Sequence, residues 1–370
     1  MTTSPDPAVG ADPAAGADPA VGADPAVGAD PAVVGPYLAR VLADQTWQDC
    51  AVTLIAGGKS NLTYRVDGPA GSLVLRRPPL GHVLPTAHDM VREHTVMSGL
   101  AATAVPVPVM RHLCTDTEVL GQPFYVMELV EGHVCKATLP PGYADEPEQR
   151  RRVGEGLVTV LADLHGVDPA AVGLGDFGRP EGYLERQVRR WTKQWDATRI
   201  AGHEGLDLLA EQLAADVPAT QRHTVVHGDY RLDNTILHPS EPGRVAAVLD
   251  WEMSTLGDPL ADLGLLLGYW SQADDSGVRK DAELIPSATV LPGFPTRAEV
   301  ASLYADRTGL DLTPLPWYAA FAAYKIAVVC AGIVARVRGG AMVGEGFDGI
   351  EQRIGPLVEV GRRTLADRSL

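Results

Sequence analysis

The residues best suited to chemistry sit in "VVHGDYRLDNTILH", residues 225–238, where an apolar run breaks for a His, a Gly and acids and then resumes. Asp229 and Asn234 stand five apart with Arg231 between them. The valines before and the Thr-Ile-Leu after favour strand on both sides. A second apolar run, "VAAVLDWE", ends abruptly in Asp250. A carboxylate at the end of a buried strand is expensive without a partner, so a cation, a metal or a polar ligand is implied. Two carboxylates and an amide oxygen are hard ligands suited to Mg²⁺, which takes few protein ligands and completes its shell with phosphate oxygens. Phosphoryl transfer uses such a set. One carboxylate orients an acceptor hydroxyl and takes its proton, while the Asn and the other carboxylate hold the metal. A hairpin joining the two strands brings the three side chains together.

"HGDYRLDN" followed by "VLDWE" resembles the aminoglycoside phosphotransferase / choline kinase superfamily, relatives of the protein kinases, and in particular the branch associated with acyl-CoA dehydrogenases. The resemblance implies an α+β, bilobal protein-kinase-like fold, with a small N-lobe built on an antiparallel sheet and a larger, mainly helical C-lobe. It assigns Asp229 as the catalytic base, Asn234 and Asp250 as metal ligands, and Arg231 to the transferring phosphoryl group. The expected co-substrate is ATP (or GTP) with Mg²⁺, and the expected acceptor is a hydroxyl on a small molecule.

Four upstream parts must then be present, and they occur in order. "AGGKSNLTYRV" offers a turn over the phosphates: Gly57 and Gly58 allow close backbone approach, and Ser60 and Asn61 can donate hydrogen bonds. It is not a P-loop, since the GxxxxGK[ST] spacing is absent. In "SLVLRRPP" alternation puts Val74 and Arg76 on one face, the first under the base and the second at the phosphates. Arg77 is the competing register. "MVREHTVMSGL" supplies Glu93 to orient that cation, and "FYVMELVEG" resembles a hinge, with Met127 at the back and the backbone of Glu128 and Val130 facing adenine. Many kinases have Lys where Arg76 stands; Arg occurs in the acyl-CoA-dehydrogenase-associated branch. That branch favours a hydroxyacyl-CoA or hydroxy acid as acceptor. An aminoglycoside or macrolide is the rival acceptor, and a nucleotide-binding module without turnover is the rival class.

The positioning elements follow from pattern. "DPAVGA" and its variants recur from Asp6 to the "DPAVVG" at Asp30. Pro at every sixth residue, beside Gly and small side chains, offers too little apolar surface to offset chain entropy, so 1–35 is expected to be a disordered tail. Residues 36–130, rich in short apolar runs between Gly turns, form the expected nucleotide-binding N-lobe. From about Glu146 onward the periodicity is mainly helical, and residues 131–370 form the expected catalytic and acceptor-binding C-lobe. Asp258 before Pro259 reads as a helix N-cap. His227, Asp233 and Asp262 read as braces of the loop rather than as base or ligands. Trp191, Trp195 and Tyr324 read as core, and Arg336 as an anchor worth watching for an anionic acceptor.

Composition limits the function classes. A net charge of −16 argues against a general nucleic-acid binder, which needs a basic footprint. Cys50, Cys114, Cys135 and Cys330 are scattered without metal-ligand spacing and read as reduced core thiols of a cytoplasmic protein. The most apolar stretch, residues 317–337, carries Lys325 at its middle, which favours a buried helix over a membrane span.

Overall fold

Residues 26–56, 61–80, 88–339 and 349–369 are described in a computed structural model, and they form two compact units. One ends at Glu131 and takes in Leu249–Met253; the other is built from Gly132–Val248 and Ser254–Leu370.

The first unit opens with α1 (Pro31–Val41) and then lays down β1 (Ala51–Ala56), β2 (Leu62–Gly68), β3 (Gly71–Arg77), α2 (Met90–Leu100), β4 (Met110–Cys114), the short α3 (Thr117–Leu120) and β5 (Phe124–Glu128). The five strands make one antiparallel sheet in the order β1-β2-β3-β5-β4. The two-residue period of a strand divides its faces. Leu62, Tyr64, Val66, Leu73, Leu75, Phe124 and Val126 pack on Val34 and Leu38 of α1. The opposite face carries Val74, Arg76, Tyr125 and Met127, and there the Tyr125 hydroxyl meets Glu93 of α2 at 2.9 Å.

The helix begins at Pro31, inside the stretch expected to be disordered, so order extends into the last repeat. Asp30 caps it by accepting from Ala32 N–H at 2.9 Å, and Pro occupies the first turn, where its missing N–H costs nothing. Val34 inside this repeat and Leu38 just after it are buried under the sheet. Residues 1–25 lie outside the described part.

The second unit is mainly helical: α4 (Pro147–Gly166), α5 (Tyr183–Ala197), α6 (Gly205–Ala215), α7 (Pro259–Tyr269), α8 (Gly277–Asp281), α9 (Arg297–Thr308), α10 (Leu315–Arg338) and α11 (Ile350–Asp367). Two small antiparallel pairs interrupt the helices. β6 (Thr224–Val226) pairs with β9 (Thr255–Gly257), and β7 (Thr235–Leu237) pairs with β8 (Val245–Val248). On α5 the buried residues Leu184, Val188, Trp191 and Trp195 fall on one stripe, each aliphatic one contributing roughly 1.5–3 kcal/mol when fully buried.

α10 packs against α5, α6, α7 and α11. It is long and apolar enough to cross a membrane by composition, yet 72% of its most apolar window is buried inside the protein. That is the pattern of a central core helix, apolar all round. α7 lies so close that a Cβ on Gly264 would stand 2.7 Å from the backbone carbon and oxygen of Tyr318. Backbone cannot swing aside as a side chain can. Gly264→Ala is therefore expected to destabilise by on the order of 1–3 kcal/mol, read as a lower urea midpoint at unchanged slope. An unchanged midpoint would show that the two helices separate freely.

Candidate active site

In the second unit, strand β6 delivers His227, Gly228 and Asp229 to a tight turn. Gly228 has φ +84°, a left-handed conformation that a side chain would strain. Three groups clamp this turn from behind. The Asp262 carboxylate on α7 accepts the His227 N–H at 2.6 Å and the Gly228 N–H at 2.8 Å. It also accepts from His165 Nε2 at 3.2 Å, while His165 Nδ1 lies 2.6 Å from the Tyr304 hydroxyl. Burial pushes the Asp262 carboxyl up, but its bonds to His165 and the His227 N–H outweigh that and hold it below the ordinary value. His227 Nδ1 accepts the Asp229 N–H at 3.2 Å, a bracing role. Lys325, in the middle of α10, donates to the Gly228 carbonyl at 2.6 Å and lies over the Trp191 ring. Burial lowers its pKa, against the pull of Asp229 and Asp262.

On the working side, Asp229 is 8% exposed. Asn234 Nδ2 donates to its Oδ2 at 2.9 Å and to its carbonyl at 2.8 Å, which commits the amide nitrogen. Arg231 lies between two carboxylates, with Nε 3.4 Å from Asp229 Oδ2 and Nη1 3.1 Å from Asp233 Oδ2, and its guanidinium covers the Tyr269 ring at 4.9 Å. Burial raises the Asp233 carboxyl while Arg231 opposes it. Asn234 immediately precedes β7, whose Thr235 pairs with Val248 of β8, and Asp250 follows two residues later in the chain.

In the first unit the predicted residues gather around one guanidinium. Arg76 Nη2 contacts Asp250 Oδ1 at 2.6 Å and its Nε lies 3.1 Å from Glu93 Oε2. Arg77 points away, donating to the carbonyls of Pro78 and Gly28, so the register with Arg76 facing Glu93 is the one adopted. Asp250 has φ +64°, one of the few non-glycine residues in the left-handed region. Met127 is buried opposite Val74. Glu128 uses its N–H on Val109 O at 2.9 Å and its side chain on Arg111, whereas the Val130 backbone has no hydrogen bond among the described residues.

Two features depart from the sequence reading. Asn61, read as a phosphate donor, gives its amide hydrogens to Glu93 Oε1 at 2.8 Å and Glu252 Oε2 at 3.2 Å. At the start of β2 it lies among buried carboxylates, which take its donors first. Glu252 was missed: it lies 3.7 Å from His88 Nδ1, and burial and then Asp250 raise its pKa. The only signal for it was an acid two residues after Asp250. Gly57, Gly58 and Ser60 lie outside the described residues.

Burial pushes the Glu93 carboxyl up to about 7 against the attraction of Arg76. The unfolded carboxyl ionises near 4.5, so between there and about 7 the folded state holds the extra proton and stability falls as pH rises. Glu93→Gln is expected to remove this slope, which is at most about 1.4 kcal/mol per pH unit. Urea titrations of both proteins from pH 5 to 7.5 measure it. Parallel stability curves would overturn the assignment.

A five-stranded sheet carrying an Arg–Glu pair, followed by a helical unit with a clamped His-Gly-Asp turn, is the architecture of the protein-kinase-like fold. The sequence profile of the phosphotransferase enzyme family matches residues 51–293, and the chain belongs to that family. Over 306 residues it is 37% identical to acyl-CoA dehydrogenase family member 10 of Mus musculus, a match covering 82% of this chain and 28% of that one. The chain thus spans little more than a quarter of that relative's length. A candidate aminoglycoside phosphotransferase of Ralstonia eutropha JMP134 superposes with a TM-score of 0.77 at 33% identity, covering 91% of this chain and 98% of the other. A thermostable mutant of aminoglycoside phosphotransferase APH(4)-Ia, in ternary complex with ADP and hygromycin B, gives a TM-score of 0.57 at 15% identity, covering 89% and 98%; it shares the fold.

Proposed function

We propose that the chain transfers the γ-phosphoryl group of ATP (or GTP) to a hydroxyl of a small organic acid or its acyl-CoA form. The observation that carries this reading is the Asp229 carboxylate. One oxygen is fixed by Asn234, and the main chain behind it is held by Asp262, His227 and Lys325. A carboxylate held this firmly can align an acceptor hydroxyl and receive its proton as the bond to phosphorus forms. Arg231, beside Asp229, is placed to meet the charge of the transferring group. Arg76, oriented by Glu93, would meet the other phosphates, and Met127 with the Val130 backbone would receive the base.

The donor types, an amide oxygen and a carboxylate, suit Mg²⁺. Asn234 commits its nitrogen to Asp229, leaving the amide oxygen as the ligand atom, and Asp250 adds a carboxylate 27% exposed at its side chain. Among the described residues no group of three His, Cys, Asp or Glu is arranged to hold a metal, and Mg²⁺ does not need one. When bound, it would neutralise phosphate charge.

Two comparisons point to different acceptors. The mouse relative's name links this kind of chain to acyl-CoA chemistry, and the Ralstonia neighbour's name favours an aminoglycoside. Mg²⁺-dependent ATP consumption across hydroxy acids, hydroxyacyl-CoAs, aminoglycosides and macrolides, run beside Asp229→Asn, decides between them. Nucleotide binding with no acceptor-dependent turnover across that panel would favour a binding module instead.

A further inference from the structure

A pocket opens between α7, α8, α10 and α11 in the second unit. Its wall is largely apolar, with Leu267, Ala323, Ile326, Leu357 and Val360 among its lining residues. Its charges are unevenly paired. Asp275 is spent on Arg297 through two contacts of 2.7 and 2.6 Å. Glu283 accepts from the Ser271 hydroxyl at 2.8 Å and from Lys280 at 2.6 Å. Arg279 lines the same pocket, half-buried, with no side-chain hydrogen bond or ion pair among the described residues. Three cations against two committed carboxylates make this pocket locally basic in a chain of net charge −16.

The pocket adjoins a second one on the side of Arg231. It shares Tyr269, Trp270 and Ile285 with that second pocket, which is lined by Arg231 and Asp233. The Tyr269 ring lies under the Arg231 guanidinium, and Arg231 adjoins Asp229.

We propose that this pocket is the acceptor site, that it takes an anionic amphiphile (a carboxylate or phosphate monoester on an apolar chain), and that Arg279 is the residue that selects the anionic head. The inference rests on the phosphotransferase reading and narrows it. A half-buried guanidinium that makes no hydrogen bond of its own favours an anion able to accept two parallel hydrogen bonds. The apolar wall accommodates a hydrocarbon chain, and a polycationic sugar would meet like charge there. Burial and then the neighbouring Arg297 lower the pKa of Arg279 to about 10, with Asp275 opposing, so the side chain is protonated at neutral pH. Arg336, on the last turn of α10, lines neither of these two pockets.

The test is calorimetric titration of the intact protein with decanoate, decyl phosphate and decyltrimethylammonium, beside Arg279→Gln and Arg279→Lys. Wild type is expected to bind at least one of the anions and not the cation. Arg279→Gln should weaken that binding at least tenfold, and Arg279→Lys should restore most of it. The tighter of the two anions identifies the head group. Equal binding by Arg279→Gln, or equal binding of the cation, overturns the proposal. Turnover separates the two readings. Hydroxy-acid phosphorylation with a KM unchanged in Arg279→Gln sinks the pocket and leaves the kinase. Anion binding that depends on Arg279, with no hydroxy acid phosphorylated, sinks the reaction and leaves the pocket.

Discussion

Asp229→Asn is expected to lower kcat by about a thousandfold, while nucleotide affinity stays within about twofold of wild type. The substitution preserves volume, and the loop main chain is held by Asp262 and Lys325 rather than by the Asp229 side chain. In the proposed reaction, what is lost is the proton acceptor. Asp233 is the natural control, because it flanks Arg231 from the other side at 3.1 Å and is a half-buried carboxylate. Asp233→Asn should retain most of the turnover, since Arg231 keeps Asp229 as a partner. Single-turnover phosphate transfer separates chemistry from product release. An inactive Asp233→Asn beside an active Asp229→Asn would move the base to the other carboxylate. A second signature is electrostatic. Asp229 raises the pKa of Lys325, so removing its charge should lower that pKa further, visible in the pH dependence of stability at alkaline pH.

What the sequence disclosed and what it hid divide along physical lines. Arg76 on the face opposite Leu75 follows from the strand period, which is local, whereas Glu93 and Met127 were legible only through the resemblance of their motifs to a kinase helix and hinge. The partners of Asn61 and Lys325 are not local. Glu252 lies 191 positions from Asn61, and Gly228 lies 97 positions from Lys325. No period or cap encodes such a pairing. Lys325 was legible only as an oddity, a charge in the middle of an apolar stretch. Its cause is a carbonyl that needs a donor. The start of α1 shows the converse limit. Asp30-Pro31 is the same pair that opens the earlier repeats, so the cap signal cannot tell them apart. The helix that follows Asp30 buries Val34 and Leu38, and burial is a property of the fold.

Asp250→Asn should be the more damaging change, on the order of a thousandfold or greater in kcat, because two functions converge on one carboxylate. In the structure it takes Arg76 Nη2 at 2.6 Å, and in the proposed reaction it would hold the metal. The choice of replacement decides what is measured. At φ +64° Asn is tolerated, whereas Ala would add backbone strain of about 1–3 kcal/mol. Asp250→Asn should therefore lose activity at near-native thermal stability, and Asp250→Ala should lose both. Met127→Leu, a volume-conserving change in the expected base pocket, should cost no more than a few-fold. The charge of Asp250 also helps to hold the Glu93 and Glu252 carboxyls up. Asp250→Asn should then shrink the fall in stability between pH 5 and 7 that is ascribed to Glu93. An Asp250→Asn protein that turns over at near wild-type rate would remove Asp250 from the metal site. An unchanged pH slope would mean that burial alone sets the Glu93 carboxyl.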